Sequence, residues 1–293
     1  MKIFITGGAG FIGRNLREQL GAKYEILAPE KRELDLLDAE NVRDYVQANS
    51  FDVVLHAATW NATRNSKKDT TKILENNLRM FFNLARCSGS YGKMINLGSG
   101  QEYAREHWIP RMKEEYFDTY VPEDEPGLSR YLIGKYIERA DNIVNLRPFA
   151  VFGKYEDWEI RFISNACCKA AWDLPITIKK NVFFDYLYID DMVRITDWFI
   201  RNPAEEKSYN VCAGRTYDLV TLAKKVLKAS GKDLEIRVAH SGLDKEYSGD
   251  NTRLLLEMGP FSFSDIDTSV ASLYDWYRIH KKDIKRELLL SDK

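Results

Sequence analysis

The sequence predicts an α/β fold: a doubly wound parallel sheet followed by a smaller C-terminal α/β cap. Three observations carry this. The chain opens on an apolar run, Ile3-Phe4-Ile5, that passes into a glycine cluster and then an amphipathic stretch, Leu16-Arg-Glu-Gln-Leu20. Apolar runs of strand length recur at 24–28, 51–58, 93–97 and 142–146, with helix-like segments between them. That alternation is the signature of parallel strands covered by helices. From about residue 154 the pattern loosens, but no repeat or low-complexity linker intervenes, so the remainder packs on the first part.

The first strand ends in Thr6-Gly-Gly-Ala-Gly-Phe-Ile-Gly13. Strand, glycine turn and helix make a Rossmann-type mononucleotide unit. Gly7 allows the tight turn, Gly10 lets a pyrophosphate lie against the backbone, and Gly13 lets helix and strand approach. The helix N-terminus then offers free N–H groups and partial positive charge to phosphate. The next strand leads into Pro29-Glu-Lys-Arg-Glu-Leu-Asp-Leu36, where an adenosine ribose would lie. Lys31 and Arg32 there lean towards a 2′-phosphate, hence NADP over NAD, although Glu30 and Glu33 flank them.

Residues 51–58 read as a strand running into small residues, His56-Ala57-Ala58, which suit a ligand crossing the backbone; His56 itself reads as packed. The polar stretch 59–70, with Thr59, Trp60, Asn61 and Arg64, is a substrate loop or a surface loop. Residues 71–87 form a helix apolar on several sides. The strand 93–97 ends at Gly98-Ser99, and Ser129 is placed to cap the helix carrying Tyr131 and Lys135. The strand 142–146 continues as Arg147-Pro-Phe-Ala-Val-Phe-Gly153. Segments 160–172 and 219–229 read as helices, 175–178, 183–189 and 209–212 as strands, and Asp190-Asp191 opens another helix. The dinucleotide domain is thus 1–153 with about 185–215; about 154–184 and 216–293 form the substrate region.

The chain has 293 residues, 44% hydrophobic and 30% charged, with net charge −1. Acids and bases are interspersed, which argues against nucleic acid or an anionic membrane as partner. No apolar run reaches the roughly 20 residues of a membrane span. The four cysteines, Cys87, Cys167, Cys168 and Cys212, match no zinc spacing and read as reduced core thiols; with the Met1 strand leaving no room for a targeting segment, the expectation is a cytoplasmic protein. No metal is expected.

Tyr131-Leu-Ile-Gly-Lys135 carries the chemistry. Residues four apart share a helix face, and a cation beside a phenol lowers its pKa. That would let Tyr131 exchange a proton with an alcohol or sugar oxygen, with Ser99 bonding the same oxygen and Lys135 holding a ribose. Tyr277 and Lys281 repeat the spacing, but beyond the last plausible sheet strand.

The whole pattern resembles an extended short-chain dehydrogenase/reductase of the nucleotide-sugar epimerase, dehydratase and 4-keto-reductase group. The glycine turn, Leu34-Asp-Leu36, His56-Ala-Ala58, Asn77, Ser99 four before Tyr103, Tyr131/Lys135, Arg147-Pro-Phe149, Asp185 to Asp191 and Tyr209-Asn-Val211 carry it, in order. The resemblance implies that Ser99, Tyr131 and Lys135 form a catalytic trio. It also implies that Asp35 and Leu36 meet adenine, that Pro148 lies near the nicotinamide, and that Thr6, Phe11, Ile12, Ala57, Ala58 and Asn77 contact the cofactor. Thr59, Trp60, Gly100, Gln101, Phe149 and Arg253 are the substrate candidates, and a homodimer through helices 71–87 and 129–140 is implied.

Departures from that family's pattern narrow the reaction. Sugar 4,6-dehydratases carry Asp-Glu where this chain has Gly100-Gln101, and neither can titrate, so dehydration is disfavoured. GDP-fucose synthases carry a cysteine at Gln101 and a histidine after the Gly153 strand, and this chain has neither, so C3/C5 epimerisation is disfavoured too. Reduction of a nucleotide-linked 4-keto sugar leads; a 4-epimerase and a non-catalytic NAD(P)-binding sensor or scaffold stay open. Ala150 and Phe184 replace an Asn and an Arg that usually help hold the nucleotide diphosphate, so the substrate is an unusual activated sugar or carries no nucleotide.

Overall fold

The computed structural model describes residues 1–61, 63 and 65–290; Arg64 of the polar loop lies outside the described residues. The strand–helix alternation appears as β1 (Lys2–Thr6), α1 (Phe11–Leu20), β2 (Glu25–Leu27), α2 (Ala39–Asn49), β3 (Phe51–His56), α3 (Ile73–Ala85), β4 (Tyr91–Leu97), α4 (Glu125–Ile137) and β5 (Ile143–Pro148). The C-terminal part adds β6 (Ala150–Phe152), α5 (Phe162–Ala171), β7 (Ile176–Asn181), β8 (Phe183–Tyr188), α6 (Ile189–Arg201), β9 (Ser208–Val211), β10 (Thr216–Asp218), α7 (Leu219–Ser230), β11 (Ile236–Leu243), α8 (Thr252–Met258), α9 (Ile266–Ile279) and α10 (Arg286–Leu289).

Six strands form one parallel sheet in the order β2-β1-β3-β4-β5-β9. Its strands lack polar alternation because both faces are covered. On one face Ile3, Ile5, Leu16 and Leu20 pack with Ile195 and Phe199 of α6. On the other, Phe4 and Val54 meet Val46, Phe81, Leu84 and Ile137 of the helices α2, α3 and α4. The remaining apolar side of α3 is met by α4, where Tyr136 stands edge-on to Phe81 and Phe82. From β1 the chain steps outward to β2, then returns to β3 on the other side. This reversal opens a crevice at the carboxyl ends of β1 and β3, the ligand position of doubly wound sheets.

A separate core gathers α5, α7 and α9 around Ile176 and Ile178. Tyr277 lies in it, 1% exposed, so the second Tyr/Lys spacing is packing. All four cysteines are free and buried. No helix among the described residues is long and apolar enough to cross a membrane.

Two expectations change, and a helix is new. Helix α4 starts earlier: Asp124 caps it, accepting the Gly127 N–H at 2.8 Å, while the Ser129 hydroxyl sits inside the helix and donates to the Pro126 carbonyl. Asp-Glu-Pro is the stronger start signal, because proline suits the first turn, where its missing N–H costs nothing. The strand through 142–153 is two: β5 ends at Pro148, and β6 joins β8 and β10 in a second sheet. Helix α9 lies in the substrate region, where no element was assigned beyond 229, and supplies Val270 and Leu273 to the C-terminal core.

Candidate active site

The crevice widens into a cleft of about 1420 Å³, running from the glycine turn across the ends of β3, β4 and β5 to the C-terminal part. Single-ligand pockets span about 300–1,000 Å³, so this one has room for two ligands end to end. At its origin Gly7 has φ +67°, a left-handed conformation open to glycine, and an added Cβ would stand 2.8 Å from the backbone of Ala58. Gly10 starts α1 without a side-chain cap, which leaves the first N–H groups of the helix facing the cleft. This cradle and the free helix end suit a pyrophosphate, so the residues present fit a dinucleotide.

Thr6, Phe11, Ile12, Gly13, Asp35, Leu36, Ala57, Ala58 and Pro148 all line the cleft. So does His56, whose Nδ1 lies 2.9 Å from Thr6 Oγ1; burial lowers its pKa to about 4, so the ring stays neutral and packed. Asn77 accepts the Trp60 N–H at 2.7 Å and the Thr59 hydroxyl at 3.2 Å, pinning the start of the polar loop at the cleft edge. Lys31 lines the cleft 5.5 Å from the Trp60 ring and 3.6 Å from the Asp35 carboxylate. Arg32 turns away to Glu30 and is exposed. Arg253, on α8, is committed to Glu115 at 2.9 Å and to the Ser208 carbonyl; it is a strut, not a cleft residue.

Ser99 follows β4 at the cleft wall and caps the next turn. Its backbone N–H reaches Glu102 Oε1 at 3.1 Å, and its Oγ accepts the Gln101 N–H at 3.1 Å, which fixes a single turn over Gly100–Glu102. Gln101, Phe149, Tyr247 and the guanidinium-bearing Arg105, Arg130 and Arg161 complete the far chamber, while Gly100 lies buried beneath Tyr247 and Phe149. Residues 3–212 match the family model described as the NAD dependent epimerase/dehydratase family.

The chain belongs to the NAD dependent epimerase/dehydratase family. Among its relatives, GDP-L-colitose synthase of Yersinia pseudotuberculosis is 22% identical over 97% of this chain and 100% of that protein. GDP-mannoheptose C4 reductase from Campylobacter jejuni, solved with NADP bound, superposes with a TM-score of 0.83 at 18% identity, covering 94% of this chain and 98% of that one. UDP-glucose 4-epimerase from Thermotoga maritima, solved with UDP-glucose, gives 0.82 at 19% identity, covering 96% and 99%.

In this epimerase/dehydratase chain the Tyr131/Lys135 pair does not line the cleft. The Tyr131 hydroxyl bonds the Asp118 carboxylate, and Lys135 Nζ reaches Asp118 at 2.9 Å and Glu138 at 2.6 Å. The pair backs onto the Phe117 ring, over which the Arg147 guanidinium also lies, 4.1 Å from the centroid. The electrostatics reverse the expectation as well. Asp118, accepting from the phenol, raises its pKa, and Lys135 opposes that only weakly. The helix face that meets the cleft carries Arg130 and Ile133 instead.

The sequence reading also passed over Glu156, a cleft-lining carboxyl 7% exposed that accepts the Ser164 hydroxyl; burial raises its pKa to about 8. Its folded pKa lies above the ordinary 4.5, so its protonated form stabilises the fold fully below pH 4.5, and this is lost as pH rises towards 8. The loss runs at up to about 1.4 kcal/mol per pH unit. Glu156→Gln removes the proton, so its melting temperature should gain on the wild type across that window. A difference that stays level with pH would show that the carboxyl titrates normally. Among the described residues no His, Cys, Asp or Glu cluster is placed to hold a metal ion.

Proposed function

We propose that the chain is an NADPH-dependent reductase of a nucleotide-activated 4-keto sugar. The observation that carries this is the continuity of the cleft, from an uncapped helix N-terminus to a serine hydroxyl walled by aromatic rings and arginines. The glycine turn and α1 would hold the pyrophosphate, Asp35 and Leu36 the adenine end, and Lys31 a 2′-phosphate. A bound reduced nicotinamide supplies the hydride. Ser99 orients the keto oxygen. Arg161, at the N-terminus of α5, and Arg105 offer positive charge to a substrate diphosphate, compensating for Phe184 and Ala150. Gly100 and Gln101 beside Ser99 provide no carboxylate for eliminating water. The relatives named for colitose and mannoheptose nucleotides, one of them with NADP, support the same substrate class.

The test is a panel of nucleotide-linked 4-keto sugars with NADPH and NADH, followed by cofactor absorbance and product mass. Tighter binding of NADPH and one cofactor oxidised per sugar reduced are expected. A product isomeric with its substrate and no cofactor consumed would replace the reductase with a 4-epimerase. Cofactor binding without conversion of any sugar would leave a sensor or scaffold.

A further inference from the structure

We propose that the phenol delivering the proton to the substrate oxygen is Tyr247, with Arg130 as its cation and Ser99 as its hydroxyl partner, in place of Tyr131 and Lys135. This rests on the reductase reading above. Tyr247 is held from both sides by β8: its N–H donates to the Phe183 carbonyl at 2.9 Å, and its carbonyl accepts from Asp185 at 3.1 Å. Its ring is wedged against Trp108, with centroids 4.3 Å apart, and Phe149 at 5.0 Å. Phe184 stands edge-on to the same ring at 5.9 Å. The hydroxyl stands over Gly100 beside Ser99 in the cleft lining, with the Ser99 side chain, the Arg130 and Arg161 guanidinium groups and the buried Glu102 carboxylate near enough to act on its charge. A Cβ on residue 100 would stand 2.6 Å from the Tyr247 oxygen, so glycine there is what gives the phenol access to the serine turn. Arg130 is fixed by Nη1 donation to Gln101 at 2.9 Å and to the Pro126 carbonyl at 3.1 Å.

Phenol, serine hydroxyl and cation therefore converge at the cleft wall, drawn from three distant parts of the chain. The phenol and the cation are the two groups that the Tyr131/Lys135 spacing implied for one helix, with Ser99 as the shared third. Burial raises the Tyr247 pKa and keeps the phenol protonated at rest, while Ser99, Arg130 and Arg161 stabilise the phenolate it would become. In the reduction, the hydride of the dihydronicotinamide adds to the carbonyl carbon and the π pair moves to oxygen. That oxygen takes the Tyr247 proton, the phenol O–H breaking as the alcohol O–H forms. Water at the cleft mouth restores the proton to the phenolate through Ser99.

Tyr247→Phe and Tyr131→Phe decide the matter together with the crystal structure of the NADP⁺ complex. In that crystal the Tyr247 hydroxyl is expected to be the phenol nearest the nicotinamide C4. Tyr247→Phe should bind NADPH within about threefold of the wild type by nicotinamide fluorescence, yet lose about 10²–10⁴-fold in kcat; Tyr131→Phe should keep kcat within about threefold. Gly100→Ala, which crowds the phenol without removing it, should lose turnover in the same way. A Tyr131 hydroxyl nearer C4, or a kcat loss in Tyr131→Phe with Tyr247→Phe unaffected, overturns the proposal. If the wild type reduces no keto sugar, the reductase reading falls by itself, and the holo crystal still decides which phenol faces the nicotinamide.

Discussion

Glu102→Ala should destabilise the protein by about 3–5 kcal/mol, the usual cost of removing one partner from a buried ion pair. Glu102 and Arg147 are each no more than 1% exposed, and Nε lies 2.5 Å from Oε2. The carboxylate also accepts both contacts of the Asn145 amide, at 3.0 and 2.9 Å, and Asn145 in turn accepts the Asn96 amide at 2.7 Å. Alanine would leave a guanidinium in the core with its Nη1 already unpartnered in the folded chain and the Phe117 and Tyr103 rings against it in place of a carboxylate. Desolvation of an unpaired charge then dominates any relief of strain. The network spans β4, the serine turn and β5, so a second effect follows. Ser99 loses the carboxylate that fixes its N–H, and its hydroxyl should no longer hold position against Tyr247. Guanidinium unfolding measures the first effect. A loss under about 1 kcal/mol would mean that water enters and solvates Arg147, and that the pair is not sealed.

The sequence carried the scaffold because strand–turn–helix periodicity and a run of glycines are local statements. The Gly7 turn, the uncapped start of α1 and Ser99 just after β4 stand where those patterns place them. The reading of Tyr131 and Lys135 failed differently. A four-residue spacing guarantees a shared helix face, but not the direction in which the face points. That direction is set by what α4 packs on: Tyr136 against α3, Ile137 in the sheet core, and Gly134, where a Cβ would come within 2.8 Å of Glu102. Those contacts turn Arg130 towards the cleft and Tyr131 towards Asp118. One residue is about 100° of helix rotation, so a motif offset by one position reads the same and faces elsewhere. Tyr247 had no local signature at all. It lies in an irregular stretch, Glu246-Tyr-Ser-Gly249, and reaches Ser99 only through its docking on β8. Arg253, a substrate candidate in the sequence, is instead claimed by Glu114 and Glu115.

Gly13→Ala should weaken NADPH binding by at least about tenfold, or 1.4 kcal/mol, and lower stability by about 1–3 kcal/mol. An added Cβ at this position collides with the Gly7 carbonyl oxygen and lies 2.8 Å from the Gly7 carbonyl carbon and 3.1 Å from Gly8 Cα. All three obstacles are backbone, so no rotamer change relieves them. Either α1 moves off the strand or the turn unwinds. Moving α1 shifts Leu16 and Leu20 out of their packing on Ile3 and Ile5 and strains the Gln19–Asp190 hydrogen bond of 2.7 Å to α6. Unwinding the turn disperses the N–H groups that face the pyrophosphate. Both routes degrade the cofactor end of the cleft, so binding and stability fall together. Gly10→Ala separates the two. Its Cβ would meet only the Gly7 oxygen at 3.2 Å, so the fold should hold while the new methyl stands where phosphate approaches. Nicotinamide fluorescence titration and thermal melts of both variants read this directly. If Gly13→Ala kept wild-type affinity and melting temperature, the end of α1 could not be the seat of the dinucleotide.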